Sequence, residues 1–174
     1  MSQRPLKFIS REKEAELINR LLTIVDNRDI HPYRTGLIMA SPDYSATVAM
    51  HLSHAWSVDG EIIPIIPVDV TYPDEDVPYY EMKMEDQLIW LRERSILPKN
   101  IVMVEAGIIR GGNWEWMLDV LYRFGYSRDG IMLVALCENI HSRVKSDYVG
   151  EYYDDEKEDL MFYYERFNKH WPVR

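Results

Sequence analysis

The stretch IVMVEAGIIRGGNWEWMLDVLYRFG, residues 101–125, decides how the chain folds. Ile101, Val102, Met103 and Val104 form the continuous apolar run of a strand covered on both faces. Trp114, Met117, Leu118, Leu121 and Tyr122 recur at helical spacing, and Gly125 stands where such a helix would stop. Between strand and helix lie an acid, Glu105, and a loop holding Gly107, Gly111 and Gly112, in a chain with only 8 glycines. Two readings of those glycines stay open. Glycine is the default turn residue, so the three can simply reverse the chain. They can also let backbone N–H groups close around phosphate oxygens, with the positive end of the following helix adding its own unpaired N–H groups. An acid at the end of the strand can then accept from ribose hydroxyls or hold a divalent cation. The two better-known phosphate loops are absent. G-x-x-x-x-G-K-[ST] fails because the loop has no lysine, and G-x-G-x-x-G fails on spacing.

Outward from this unit the same alternation continues. Ser10 is placed to cap a helix running to about Val25, with Leu17, Ile18, Leu21, Leu22 and Val25 along one face. GLIMA (36–40) reads as a short buried strand, and SPDYSATVAMHLSHAW after it as loop and helix. EIIPIIPVDV (61–70) is strand-like, with Pro64 and Pro67 suiting an edge. TYPDEDVPYY (71–80) is a proline-rich acidic loop with the character of a mobile lid, and EMKMEDQLIWLRERSIL is a helix ending before Pro98. IMLVALC (131–137) is a further buried strand. Strands alternating with helices predict an α/β fold, a mainly parallel twisted sheet with helices on both faces. Residues 105–113 are expected at its carboxyl edge. After residue 138 the pattern breaks, and the polar, aromatic-rich remainder reads as an appendage.

The totals fit one soluble domain. A chain of 174 residues can bury a self-sufficient core, and 47% hydrophobic with 28% charged residues is ordinary for a globular protein. No apolar run approaches the roughly 20 residues that cross a bilayer. The amino terminus lacks an apolar signal core, and the single Cys137 suits a reducing compartment, so a cytoplasmic location is expected. A net charge of -9 argues against gripping a nucleic-acid backbone.

VEAGIIRGGN (104–113) resembles the phosphoribosyl-diphosphate (PRPP) loop of the type I phosphoribosyltransferases. In that family a hydrophobic strand ends in two acids, followed by a short apolar pair and a T-G-G-T-like phosphate loop. The I-I-R-G-G-N form is especially similar to the amidophosphoribosyltransferase version. GLIMASPDYSATVAMHLSHAW sits where the family has its first core strand, pyrophosphate loop and following helix, and TYPDEDVPYYEMKM where it has a flexible catalytic loop. KSDYVGEYYDDEKEDLMFYYERF resembles the C-terminal base-covering hood of purine-type members, whose hoods contain a similar K-P-D-[YF]-V-G segment. About two-thirds of the chain can be laid on the family in this order.

The resemblance implies one domain over 1–174, with a core of about 30–138 and a C-terminal hood of about 139–171. It implies transfer of ribose 5-phosphate from PRPP to a nitrogenous base, a purine by the hood, with release of pyrophosphate. Glu105 would be the catalytic carboxylate and the ligand for Mg²⁺. Glu105, Ala106, Gly107, Ile108, Ile109, Arg110, Gly111, Gly112 and Asn113 would hold the ribose 5-phosphate. Ala40, Ser41, Pro42, Asp43 and Tyr44 would meet the pyrophosphate, and Tyr148 would stack on the base. A homodimer is also implied.

The departures are specific. The second acid is Ala106, the purine-type acid/base aspartate is Ile109, and the last threonine is Asn113. The loop ASPDYS (40–45) has no basic residue. These favour the alternative, a nucleotide- or phosphosugar-binding regulatory protein without catalysis. His51 and His54 lack a further metal ligand and read as surface or packing residues, and Cys137 as a buried inert thiol. DDEKED (154–159) reads as a solvated turn.

Overall fold

The computed structural model describes residues 4–26, 36–40, 45–57, 62–68 and 81–162. The expected pyrophosphate loop at 41–44 and the expected lid at 71–80 lie outside the described residues. In chain order the elements are β1 (Leu6–Ile9), α1 (Arg11–Asp26), β2 (Leu37–Ala40), α2 (Ser45–Ala55), β3 (Ile65–Pro67) and α3 (Glu81–Glu93). They continue with β4 (Ile101–Ile108), α4 (Gly112–Arg123), a short 3₁₀ turn, β5 (Ile131–Asn139), β6 (Tyr148–Tyr153) and β7 (Asp159–Phe162). Five strands form one sheet in the order β3-β2-β4-β5-β6, every neighbouring pair parallel.

The strands alternate their side chains between two cores, as a pleat with a two-residue period requires. On one face Leu17, Leu21 and Val25 of α1 and Val48 and Leu52 of α2 pack on Ile38, Val102, Val104 and Leu136. On the other, Met84 and Leu88 of α3 and Trp114, Met117 and Leu121 of α4 pack on Met39, Ile101, Met103 and Leu133. Each such side chain contributes about 1.5–3 kcal/mol by leaving water. Ser10 caps α1 as its position predicts, its hydroxyl accepting from the Lys13 N–H at 3.2 Å. Among the described residues no helix is long and apolar enough to cross a membrane.

The mainly parallel α/β architecture agrees with the sequence reading, and β4 lies between β2 and β5; several boundaries differ. β4 runs on to Ile108, so Glu105, Ala106, Gly107 and Ile108 belong to the strand and the loop is only 109–111. Of residues 61–70 only Ile65–Pro67 are strand, at the sheet edge where prolines are tolerated.

The largest correction lies after residue 138. Residues 148–153 are the fifth strand of the main sheet, parallel to β5 and reached through residues 140–147, which contain no helix. An edge strand with one wet face shows only a weak apolar pattern, which is why YVGEYY reads as appendage. The separate layer is instead made from both ends of the chain, as β1 pairs in parallel with β7 (Leu6 beside Asp159, Ile9 beside Phe162).

α1 comes very close to β6. A Cβ built on Gly150 would stand 2.6 Å from the Leu136 carbonyl oxygen and 3.3 Å from the Leu17 Cβ. Gly150→Ala is therefore expected to destabilise the chain by about 1–3 kcal/mol, as overpacking does, because backbone has to move. Urea unfolding followed by circular dichroism would measure it, and an unchanged midpoint would mean that α1 is not seated on β6 as described.

Candidate functional site

A parallel sheet whose order reverses between two strands leaves a crevice beyond their carboxyl ends, where neighbouring helices lie on opposite faces. Here that switch falls between β2 and β4, because β2 leads through α2 to β3 while β4 leads through α4 to β5 on the other side. Ala40 and Ile108 end the two strands.

Glu105 lies close to that edge, only 5% exposed. Its Oε2 accepts from the Ser45 hydroxyl at 3.0 Å, and the same Ser45 oxygen accepts from the Ala106 N–H at 2.9 Å. Ser45 opens α2, so one hydroxyl fastens the start of that helix onto β4 and fixes the carboxylate. Ala106 has its side chain in the α1/α2 core, 3% exposed. An aspartate there would bury a charge among apolar groups. As a protein-held magnesium site this end of β4 fits poorly: among the described residues it offers one buried carboxylate already engaged by Ser45, where Mg²⁺ needs near-octahedral oxygens.

Gly111 precedes α4 in the left-handed conformation (φ 79°), and no side chain caps the helix there. The first intrahelical bond is from the Glu115 N–H to the Gly111 carbonyl at 3.0 Å, which leaves the N–H groups of Gly112, Asn113 and Trp114 as the unpaired donors of the first turn. Gly112 and Asn113 are among the residues, 107–113, that line a cavity of about 400 Å³. A helix amino terminus with its positive dipole end and free first-turn donors beside a cavity is an arrangement that suits an anion.

The glycines divide their work. A Cβ on Gly107 would meet Phe162 at 3.2 Å, so this position admits the β7 strand. A Cβ on Gly111 would meet the Ser142 hydroxyl at 2.7 Å and the Val144 nitrogen at 3.0 Å, at a positive φ that disfavours any side chain. Gly111 is thus wedged by the 140–147 loop and cannot be enlarged without cost to the fold.

Of the remaining predicted residues, Arg110 and Ile109 are exposed, and the Ile108 side chain belongs to the α3/α4 core. Ala40 is buried, and its carbonyl accepts from the Val68 N–H at 2.7 Å. Tyr148 is not brought to the site. It begins β6 level with Val134 and Val104 and packs against the α1 side of the core, well before the carboxyl edge. His51 and His54 are exposed on α2, and burial pushes the Cys137 thiol up to about 12, where it is no nucleophile.

Sequence reasoning missed the residues that knit the edge together. Asn139, buried at the end of β5, donates from Nδ2 to the Ile109 carbonyl at 2.8 Å, and its Oδ1 accepts from the His141 N–H at 3.1 Å. The buried Tyr153 hydroxyl donates to the Ile108 carbonyl at 3.2 Å. Glu138, fully buried, accepts from the Ser146 N–H at 2.8 Å and faces Lys145 Nζ at 3.6 Å. An Asn at a strand end was the one available signal.

No protein-family model matches the chain and no curated protein matches it. Solved structures do. A purine phosphoribosyltransferase from Pyrococcus horikoshii superposes with a TM-score of 0.64 at 15% identity, covering 97% of each chain. The xanthine-guanine-hypoxanthine phosphoribosyltransferase of Helicobacter pylori gives 0.62 at 13% identity, over 94% of each chain. A hypothetical protein from Neisseria gonorrhoeae with bound ppGpp gives 0.64 at 16% identity, over 92% of this chain and 90% of that one. The fold is that of the type I phosphoribosyltransferases.

Ser45→Ala removes one hydroxyl used by both a buried carboxylate and a buried N–H. A loss of about 1–3 kcal/mol is expected, the cost of stripping a buried polar group of its partner. Equilibrium urea unfolding reads it; a loss under about 0.5 kcal/mol, the range of ordinary surface changes, would mean that the hydroxyl is not shared in this way.

Proposed function

We propose that the chain is a phosphoribosyltransferase that moves ribose 5-phosphate from PRPP to a nitrogenous base, with release of pyrophosphate. The observation that carries the reading is the uncapped start of α4 at the switch point, beside a cavity of about 400 Å³ lined by residues 107–113. The fold neighbours are purine phosphoribosyltransferases, which supports a purine as acceptor. In this reading the loop amides of Arg110 to Asn113 hold the 5-phosphate. Glu105, oriented by Ser45, accepts from ribose hydroxyls and stabilises the positive charge that develops as the base nitrogen bonds to the anomeric carbon and pyrophosphate leaves. Magnesium would arrive on the ligand's own pyrophosphate. A homodimer completes the proposal.

A second reading has its own support. Ala106 sits in the core where the family's second acid would be, Ile109 is exposed where purine-type members carry their acid/base aspartate, and one fold neighbour has ppGpp bound. On that reading the same cradle binds a nucleotide and catalyses nothing.

The test is a melting-temperature screen with PRPP, purine nucleoside monophosphates and pyrophosphate, each with and without Mg²⁺, since a ligand of the folded state alone must raise the transition. Pyrophosphate release with purine bases separates the two readings: release identifies the transferase, and binding without release identifies the regulatory protein. Asn113→Asp isolates the cradle. It keeps shape and places a negative charge in the first turn of α4, at an oxygen that is buried, so the helix dipole and the cost of burial oppose one another. Circular dichroism should show the fold kept while phosphate affinity falls by about tenfold or more. Undiminished affinity in Asn113→Asp would remove the cradle from the account.

A further inference from the structure

A second cleft adjoins the glycine-loop cavity. It is about 550 Å³, lined by Arg4, Arg110, Asn139, His141, Arg143, Asp155 and Glu156. Arg110 lines both spaces, so the cleft continues the cradle. It lies on the β5/β6 side of the loop, away from β2, and so away from where PRPP would put its pyrophosphate.

Its cationic side chains exceed what one phosphate on the cradle needs. Arg110 is exposed and makes no ion pair among the described residues. Arg143 faces Glu115 at 3.2 Å, but its side chain is 68% exposed, and such a pair is weak against a competing phosphate. Arg4 reaches the Asp155 carbonyl and lies 4.0 Å from the Asp159 carboxylate. His141 Nε2 lies 3.3 Å from Asp154. Against these stand the Asp155 and Glu156 carboxylates.

The cleft is also pre-organised. The Arg143 N–H donates to the Arg110 carbonyl at 3.3 Å, and Lys145 Nζ donates to the Ile140 carbonyl at 2.8 Å. Asn139 Oδ1 accepts from the His141 and Asp155 N–H groups, tying the two walls of the cleft to one buried side chain. Loops fastened in this way present three arginines, beside Asp155 and Glu156, at a low ordering cost on binding.

We propose that the site takes a ligand with more than one phosphate at its 5′ end, a nucleoside 5′-diphosphate or triphosphate. The first phosphate rests on the start of α4, and the further phosphates run past Arg110 to Arg143 and Arg4. This rests on the reading of the glycine loop as a 5-phosphate cradle.

Calorimetric titration of adenosine and guanosine 5′-mono-, di- and triphosphates, with and without Mg²⁺, tests it. For at least one base the diphosphate is expected to bind about tenfold tighter than the monophosphate, the scale of one added charge-assisted contact. Arg143→Gln and Arg4→Gln should reduce that advantage to under about threefold and leave the monophosphate unchanged. Lys99→Gln, which removes a like charge at the opposite edge of the sheet, should alter neither. Monophosphate binding with no diphosphate advantage, or an advantage that survives both arginine variants, overturns this inference and leaves the cradle standing. Tighter binding of a 3′,5′-bisphosphate than of the 5′-diphosphate overturns it too. Failure of every nucleotide to bind overturns the cradle and this inference together.

Discussion

A strand covered by helices on both faces has nowhere to put a charge except beyond its end, and β4 carries a carboxylate just before that point. A buried carboxylate is tolerated only with partners, since losing one costs several kcal/mol. Glu105 obtains one from Ser45, and that bond decides more than the carboxylate's comfort. Because Ser45 is the first residue of α2 and also accepts from the Ala106 N–H, it pins the helix following β2 onto the end of β4. The same constraint explains Ala106. With its side chain in the core, this position has no room for a second ionised group, so a resemblance that calls for paired acids meets a strand able to satisfy one.

The carboxyl edge is built as a single hydrogen-bonded unit. The loop at 109–111 is held by Asn139 from β5, the end of β4 by Tyr153 from β6, and Gly111 is wedged by Ser142 and Val144. Glu138 and Lys145 in turn fasten the 140–147 loop. The left-handed residue that aims the α4 amino terminus is therefore set by the loop between β5 and β6, one strand further along the chain, and the geometry of the α4 start is a property of the whole edge. The two-stranded layer of β1 and β7 joins the same network where Phe162 lies against Gly107.

The fold was legible where physics is local. Buried parallel strands read as unbroken apolar runs, so β2, β4 and β5 could be placed from composition, and α4 from its spacing. The glycine loop stood out because three of the chain's 8 glycines fall between one strand and one helix, while the left-handed φ of Gly111 and the uncapped start of α4 needed the structure. What escaped was non-local. Nothing in YVGEYY states that it pairs with β5, because an edge strand hides only one face, and nothing in LKFI states that its partner is 159–162. Tyr148 read as a base-stacking residue because its neighbours in sequence resembled a hood, whereas strand register places it on the edge strand level with Val134 and Val104, short of the carboxyl edge. Asn139 and Ser45 are ordinary polar residues until the strands around them are assembled.

The central claim is that backbone amides at the start of α4 receive a ribose 5-phosphate. Titration of ¹⁵N-labelled protein with ribose 5-phosphate, followed amide by amide, tests it most directly. The N–H signals of Gly111, Gly112, Asn113 and Trp114 should shift together and saturate, with those of Ile131 and Tyr148 at rest. Saturable shifts elsewhere with these four amides unmoved would contradict the account.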